Sequence, residues 1–230
     1  MCGRFMLVAT EQDVINTFDV NEISGEGDLI PQQQIYPTQA SAVITQQSPK
    51  MVQFYHWGLW AQWVTNKTMA AKLINARSET LTEKPAFKPL ITQNRCLVLT
   101  NGYYEWQLNE AKQKTPYFIT LNQTAPFAFA GLFTTCQQPH QLMPLHSFTI
   151  ITTQAVPAIA HLHQRMPVIL TPKNYHSWLS SEISATQALQ LLSAPYQLAE
   201  KIIFQPAAQF MATKPKTSSS SSLQGNLFED

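Results

Sequence analysis

Cysteine is scarce in this chain: Cys2, Cys96 and Cys136 are the three in 230 residues. Three thiols make no disulfide framework, and without a Cys-x-x-Cys pair or a histidine-rich spacing they suggest no zinc site, so neither metal nor cofactor is expected. Long apolar runs are missing too. Nothing approaches the ~20 residues that a membrane-spanning helix needs, and the first residues lack the basic-then-apolar layout of a signal peptide, so a cytoplasmic protein without a membrane partner is expected. Charge is also thin. Charged residues make up 13% of the chain and the net charge is +1, so any nucleic-acid partner has to be held by a local basic patch. Arginine is limited to Arg4, Arg77, Arg95 and Arg165.

What is present is a globular composition, 44% hydrophobic, with no linker before residue 206. One large core is expected. Thr10-Glu11-Gln12-Asp13 reads as a helix start, with Val14, Ile15 and Phe18 supplying an apolar face to about Asp19. A polar loop carrying Gly25 and Gly27 is expected over 20–37, then strands at 40–46 and 51–57. Further strands are expected at 95–99, 103–106, 117–121, 127–133, 148–152 and 197–204, with short helices near 85–91, 172–179 and 184–192. Strands spaced about ten residues apart predict an α+β fold: a mixed, mainly antiparallel, barrel-like β core flanked by short helices, over residues 1–205. From 206 to 230 the composition shifts to Lys, Pro and a serine run, which reads as a disordered, flexible tail.

Several stretches carry chemistry. Removing Met1 makes Cys2 the N-terminus, with an α-amine and a thiol on adjacent carbons. With an aldehyde the amine forms an imine and the thiol closes on the same carbon, giving a thiazolidine. Intramolecular closures of this kind reach effective molarities of ~10⁵ M, and the two groups have reference pKa values of about 8 and about 8.5. With Met1 retained, Cys2 is an ordinary internal cysteine. Trp57-Gly58-Leu59-Trp60-Ala61-Gln62-Trp63 spaces its tryptophans as a helical core stripe would, but Gly58 and Gln62 favour a loop with exposed aromatic faces suited to stacking on unpaired bases. Glu105 in Tyr103-Tyr104-Glu105-Trp106 is a lone carboxylate among aromatics. It either faces solvent on a hairpin or is buried, and burial raises a carboxyl pKa toward the range useful for proton transfer. Ile74-Asn75-Ala76-Arg77-Ser78-Glu79-Thr80 is a polar break that fits a helix cap as well as a site. His161 and His163, two apart on an expected extended segment, point the same way, but no third metal ligand accompanies them. A histidine beside Arg165 better suits an oxyanion or phosphate.

Met1-Cys2-Gly3-Arg4, Trp57-Gly58-Leu59, Ile74-Asn75-Ala76-Arg77-Ser78-Glu79, Gly102-Tyr103-Tyr104-Glu105-Trp106 and His163-Gln164-Arg165-Met166-Pro167 occur in this order. Together they resemble the SOS-response-associated peptidase (SRAP) family over about residues 2–205. The resemblance implies capture of abasic sites in single-stranded DNA through a thiazolidine between Cys2 and the ring-opened sugar aldehyde, after autoproteolytic loss of Met1. It implies catalytic roles for Cys2, Asn75, Glu105 and His163: Glu105 shuttling protons, Asn75 holding the amine or the ring, His163 donating to the sugar oxygen. It places Gly3, Arg4, Trp63, Arg77, Thr152 and Arg165 against DNA, and implies a monomer working near the nucleoid. The chain departs from the family pattern at Gln32-Gln33-Gln34, Ala61 and Val156. Two other readings remain: a thiol hydrolase pairing Cys2 with His163, and a non-catalytic DNA-binding adaptor of the replication sliding clamp. The tail's Gln224-x-x-Leu227-Phe228 resembles a clamp-binding peptide, with two apolar anchors and a glutamine fixing the register.

Overall fold

The computed structural model describes residues 2–24, 29–61, 63–64, 66–108, 113–137, 142–193 and 197–211. Met1, Gly25, Gly27, Gln62 and the tail residues Gln224, Leu227 and Phe228 lie outside them.

After strand β1 (Phe5–Leu7) comes helix α1 (Glu11–Phe18), which starts where the sequence indicates. The Thr10 hydroxyl accepts from the Asp13 amide at 3.1 Å and the Asp13 carboxylate accepts from the Thr10 amide at 3.0 Å, two otherwise orphaned donors satisfied reciprocally. Val14 and Phe18 bury the inner face, and Asp19 ends the helix in the left-handed region at φ 53°. The stretch expected as loop contains two short strands, β2 (Glu22–Ile23) and β3 (Gln32–Ile35). Their backbone partners lie in β5 (Ser48–Trp57) and β1, so tertiary pairing makes them strands where local composition reads as loop.

The remaining strands are β4 (Ala40–Thr45), β6 (Asn75–Arg77), β7 (Arg95–Thr100), β8 (Gly102–Leu108), β9 (Lys114–Leu121), β10 (Phe127–Cys136), β11 (Leu145–Gln154), β12 (Arg165–Pro167), β13 (Ile169–Leu170) and β14 (Ile202–Pro206). They form two sheets, one ordered β14-β9-β8-β1-β3 and the other β12-β11-β10-β7-β4-β5-β2, with β13 beside β10 and β6 beside β11. Pairing is antiparallel except for β2 with β5, β6 with β11, and a short contact of β5 with β11. The fold is α+β and strand-rich with short helices, as expected; the larger sheet curls until β5 reaches β11 but is not a true closed barrel.

The sheets meet through aromatic rings. Phe5 lies edge-on to Trp57 with centroids 5.0 Å apart, and Tyr103 lies edge-on to Phe129 at 5.9 Å. Between the sheets the chain turns sharply at Gly102, whose φ is +156°. A Cβ there would sit 2.4 Å from the Phe118 ring and 2.6 Å from the Ile119 carbonyl oxygen, so only glycine fits.

Three expectations are corrected. Trp57 closes β5 and is fully buried, leaving Trp63 as the well-exposed tryptophan at 52%. Residues 157–162 form turns, so His161 and His163 do not lie on one extended segment; the His161 ring instead packs on Phe204. The last strand runs over 202–206, and the chain continues packed beyond it: Ala207 is buried with its amide donating to the Pro116 carbonyl at 2.8 Å, and Phe210 packs on Phe118. Among the described residues no helix is long and apolar enough to cross a membrane.

Arg95 is fully buried, and the partners it shows are backbone carbonyls. Nε donates to Trp178 O at 2.7 Å, Nη1 to Ile91 O at 2.6 Å and Thr92 O at 2.7 Å, and Nη2 to Ser180 O at 2.5 Å. These are end carbonyls of the short helices Leu90–Gln93 and Tyr175–Leu179 and their flanks, where the peptide dipoles leave partial negative charge. One guanidinium thus ties two helix ends to β7. Arg95→Leu is expected to lower unfolding free energy by about 3 kcal/mol in urea titrations, because buried carbonyls lose their donors. Arg95→Lys should recover only part of it, since an ammonium lacks the planar fork.

Candidate active site

The N-terminal segment is held by β8. Phe5 pairs with Tyr103 and Met6 with Gly102, antiparallel, and the Tyr104 amide donates to Arg4 O at 2.9 Å. Residues 2–4 precede β1 and lie outside its regular pairing. Side chains two apart on a strand share a face, so Tyr103 and Glu105 look inward together while Tyr104 and Trp106 look the other way. Cys2 and Tyr103 are fully buried and Glu105 is 4% exposed. Of the two alternatives the sequence left for Glu105, the structure shows the buried one.

These groups act on one another. Burial, and after it the Glu105 carboxylate, push the Cys2 thiol far above its usual range, so it is a protonated thiol; its sulfur lies 3.9 Å from Arg4 O, to which it donates. Burial likewise pushes the Tyr103 phenol well up, with Cys2 and then Glu105 adding to the shift. Asn75 enters from β6, its Nδ2 donating to Cys2 O at 2.8 Å. Its Oδ1 is buried and has no hydrogen-bond partner among the described residues. Cys2, Glu105 and Tyr103 are thus buried within one another's electrostatic reach, with Asn75 bonded to the Cys2 carbonyl.

Arg77 lies two residues beyond Asn75 on β6 and so on the same face, but exposed. Opposite Arg77 in the β6–β11 register is Thr152, which is fully buried. Arg165, on β12 at the other edge of β11, forks onto Glu79 through Nη1 at 2.8 Å and Nη2 at 2.9 Å, and Nη2 also donates to Thr152 O at 2.7 Å. The hydrogen bonds from Arg165 hold the Glu79 carboxyl below its ordinary range. Thr152 thus meets the site through Arg165 and presents no surface of its own. His163 Nδ1 accepts from the Arg165 amide at 2.9 Å and lies 3.2 Å from the Arg165 carbonyl oxygen.

Arg4 is sandwiched between aromatic rings, its guanidinium 4.4 Å from the centroid of Tyr36 and 4.7 Å from that of Trp106, with Nη1 donating to Gln34 Oε1 at 3.1 Å. Gln34 in turn accepts from the Tyr36 hydroxyl at 2.8 Å and donates to Phe210 O at 2.9 Å. Gly3 is partly exposed between Cys2 and Arg4. Trp63 lies over a surface recess lined also by Pro85, Pro89 and Leu90. Among the described residues no cluster of three metal-ligating side chains occurs.

Sequence reading missed Tyr103, Tyr36, Gln34 and Trp106 as members of the site. For Tyr103 the signal was present, since a strand places the residue two before Glu105 on the same face. For Tyr36 and Gln34 there was none, because β3 reaches Arg4 only through the sheet.

The fold resembles a solved protein from Bacteroides thetaiotaomicron, with a TM-score of 0.76 and 26% identity over 89% of this chain and 91% of that one. A second, from Bordetella bronchiseptica, gives a TM-score of 0.74 at 23% identity over 89% of this chain and 99% of that one, a likeness of fold alone. In sequence, the chain is 36% identical over 220 residues to abasic site processing protein YoaM of Bacillus subtilis, covering 95% of this chain and 96% of that protein. It is 31% identical over 188 residues to abasic site processing protein HMCES of Gallus gallus, covering 71% of this chain and 54% of that one. The family model described as SOS response associated peptidase (SRAP) matches residues 1–209. A match of that extent, on a fold that brings Cys2, Asn75 and Glu105 together, makes this chain a member of the SRAP family.

Proposed function

We propose that this protein processes abasic sites in DNA by covalent capture at Cys2. The observation that carries the reading is the enclosure of Cys2 by Glu105 and Asn75, a carboxylate and an amide placed on a residue that becomes a 1,2-aminothiol once Met1 is cleaved. The Cys2 amine adds to the aldehyde carbon of the ring-opened sugar and the adduct loses water to give an imine. Sulfur then adds to the same carbon, the C=N bond becomes C–N, and the thiol proton ends on nitrogen, for a net loss of one water. Glu105 shuttles these protons. Asn75 fixes the Cys2 carbonyl, and its free Oδ1 accepts from the amine. His163 donates to the sugar oxygen.

Abasic nucleotides have no base to read, so binding rests on phosphates and stacking. Arg77 is the exposed cation beside the pocket and takes a flanking phosphate, with Arg4 as a second contact held flat between rings. A phosphate at Arg165 has to displace Glu79, so Arg165 serves first to brace β12 and β11. Trp63 offers a stacking face. In the rival thiol hydrolase, with Cys2 and His163 as nucleophile and base, the α-amine would be dispensable, so a blocked N-terminus separates the two readings. Autoproteolysis at Met1, action as a monomer, and docking on the sliding clamp through Gln224, Leu227 and Phe228 complete the proposal. The last part rests on the tail sequence alone.

Cys2→Ala should abolish the heat-stable adduct with abasic single-stranded DNA and Cys2→Ser should leave only a labile one; full crosslinking by protein with a blocked N-terminus would overturn the mechanism. Glu105→Gln should slow adduct formation while leaving affinity for intact single strands unchanged. Arg77→Ala should weaken binding and flatten its salt dependence by roughly one phosphate's slope, and equal effects of both changes on affinity would contradict these roles. A peptide of residues 218–230 should bind purified clamp at roughly micromolar Kd or weaker, and the pair Leu227→Ala and Phe228→Ala should eliminate it.

A further inference from the structure

We infer that Gln34 is a positioning residue for Arg4 and that, through it, the chain beyond β14 becomes part of the DNA-binding site. The inference rests on the capture reading above, in which Arg4 takes a phosphate, and extends it to a side chain and a segment with no assigned role. Gln34 joins residues from both ends of the chain. Its Oε1 accepts from Arg4 Nη1 at 3.1 Å and from the Tyr36 hydroxyl at 2.8 Å, and its Nε2 donates to Phe210 O at 2.9 Å. The amide fits only one way round, because a guanidinium has no acceptor and a backbone carbonyl has no donor. Phe210 O therefore aims Oε1 at Arg4. Phe210 is itself held: its ring packs on Phe118 with centroids 5.4 Å apart, and Phe118 packs on Tyr104 at 5.1 Å. Its amide donates to Ala207 O at 2.9 Å, and the Ala207 amide donates to Pro116 O at 2.8 Å. The short helix Ala208–Met211 is thus anchored on β8 and β9.

Ordering a long arginine side chain at the moment of binding subtracts from affinity. Here the fold does the ordering in advance. The rings of Tyr36 and Trp106, with centroids 4.4 Å and 4.7 Å from the guanidinium carbon, fix the plane of the group, and the hydrogen bond from Nη1 to Gln34 fixes its direction within that plane. The neutrality of the partner matters. Arg165 forks onto the Glu79 carboxylate, so its charge is answered within the protein, whereas the Gln34 amide orients Arg4 without cancelling its charge. Arg4 lies two residues from Cys2, and Tyr36, 39% exposed, keeps the sandwich at the surface, where a DNA strand reaches it.

The test measures the Kd of the full-length protein for intact single-stranded DNA and its salt dependence, beside the rate of adduct formation on saturating abasic single strands. Gln34→Met keeps the length of the side chain without its hydrogen bonds. It should weaken binding about two- to tenfold, the ordering of one long side chain, and leave the saturated rate and the salt slope unchanged. Gln34→Glu keeps the acceptor but sets a charge against Arg4, and should flatten the salt dependence by roughly one phosphate's slope. Phe210→Ala, which loosens the segment that aims Gln34, should weaken binding in the same direction as Gln34→Met. With Arg4 already replaced by Ala, Gln34→Met should cost nothing further, because one residue acts through the other. Wild-type affinity of Gln34→Met or Phe210→Ala overturns the inference, as does an undiminished loss in the Arg4→Ala background or a saturated rate that falls as far as the affinity. Wild-type affinity of Arg4→Ala overturns it too and leaves covalent capture standing. If wild type gives no adduct at all, the capture reading fails by itself, and the affinities for intact DNA still decide whether Gln34 and Phe210 position Arg4.

Discussion

Antiparallel pairing of β1 with β8 is the constraint on which the site depends. Phe5 opposite Tyr103, locked by the Tyr104 amide on Arg4 O, decides where the residues before Phe5 run. Chain ends commonly fray unless a sheet ties them down. Here the tie leaves Cys2 with no solvent exposure and within the electrostatic reach of Glu105. The same strand uses its two faces differently: Tyr103 and Glu105 are buried near Cys2, while Trp106 turns outward to stack on Arg4. One strand therefore supplies both a buried carboxylate and the support for a partly exposed cation.

Burial gives the pocket its character. In this buried setting the Glu105 carboxylate adds to desolvation in disfavouring the Cys2 thiolate. Burial keeps the thiol protonated and out of contact with solvent. Asn75 adds direction without charge, gripping the Cys2 carbonyl from the other sheet, so the pocket closes across the seam between sheets.

The few arginines divide by environment. Arg95 is wholly internal and satisfied by helix-end carbonyls, Arg165 braces two strands through Glu79 and Thr152, Arg4 is clamped between rings, and Arg77 is the exposed one of the four. A chain with net charge +1 can thus keep a cation beside its pocket without a basic surface overall. Such an arrangement suits contact with a few phosphates at one place.

Much of this was legible in the sequence. The Thr10 cap, the strands from 95 to 152 and the ordered set of short motifs all rest on local patterns, because capping chemistry and two-residue alternation are written in neighbouring residues. The composition excluded a disulfide framework, and the motifs pointed to Cys2, Asn75 and Glu105. Only the tertiary structure decided the rest. Whether Glu105 faced solvent or core depended on what covered its strand, and its enclosure with Cys2 and Tyr103 on pairing between segments about a hundred residues apart. Strands β2 and β3 exist because distant edges accept their hydrogen bonds, and Arg165 turns to Glu79 because β12 and β6 flank the same strand. Local sequence determines which conformations a segment favours; which charges and hydroxyls end up sharing a space without water is decided by long-range packing alone.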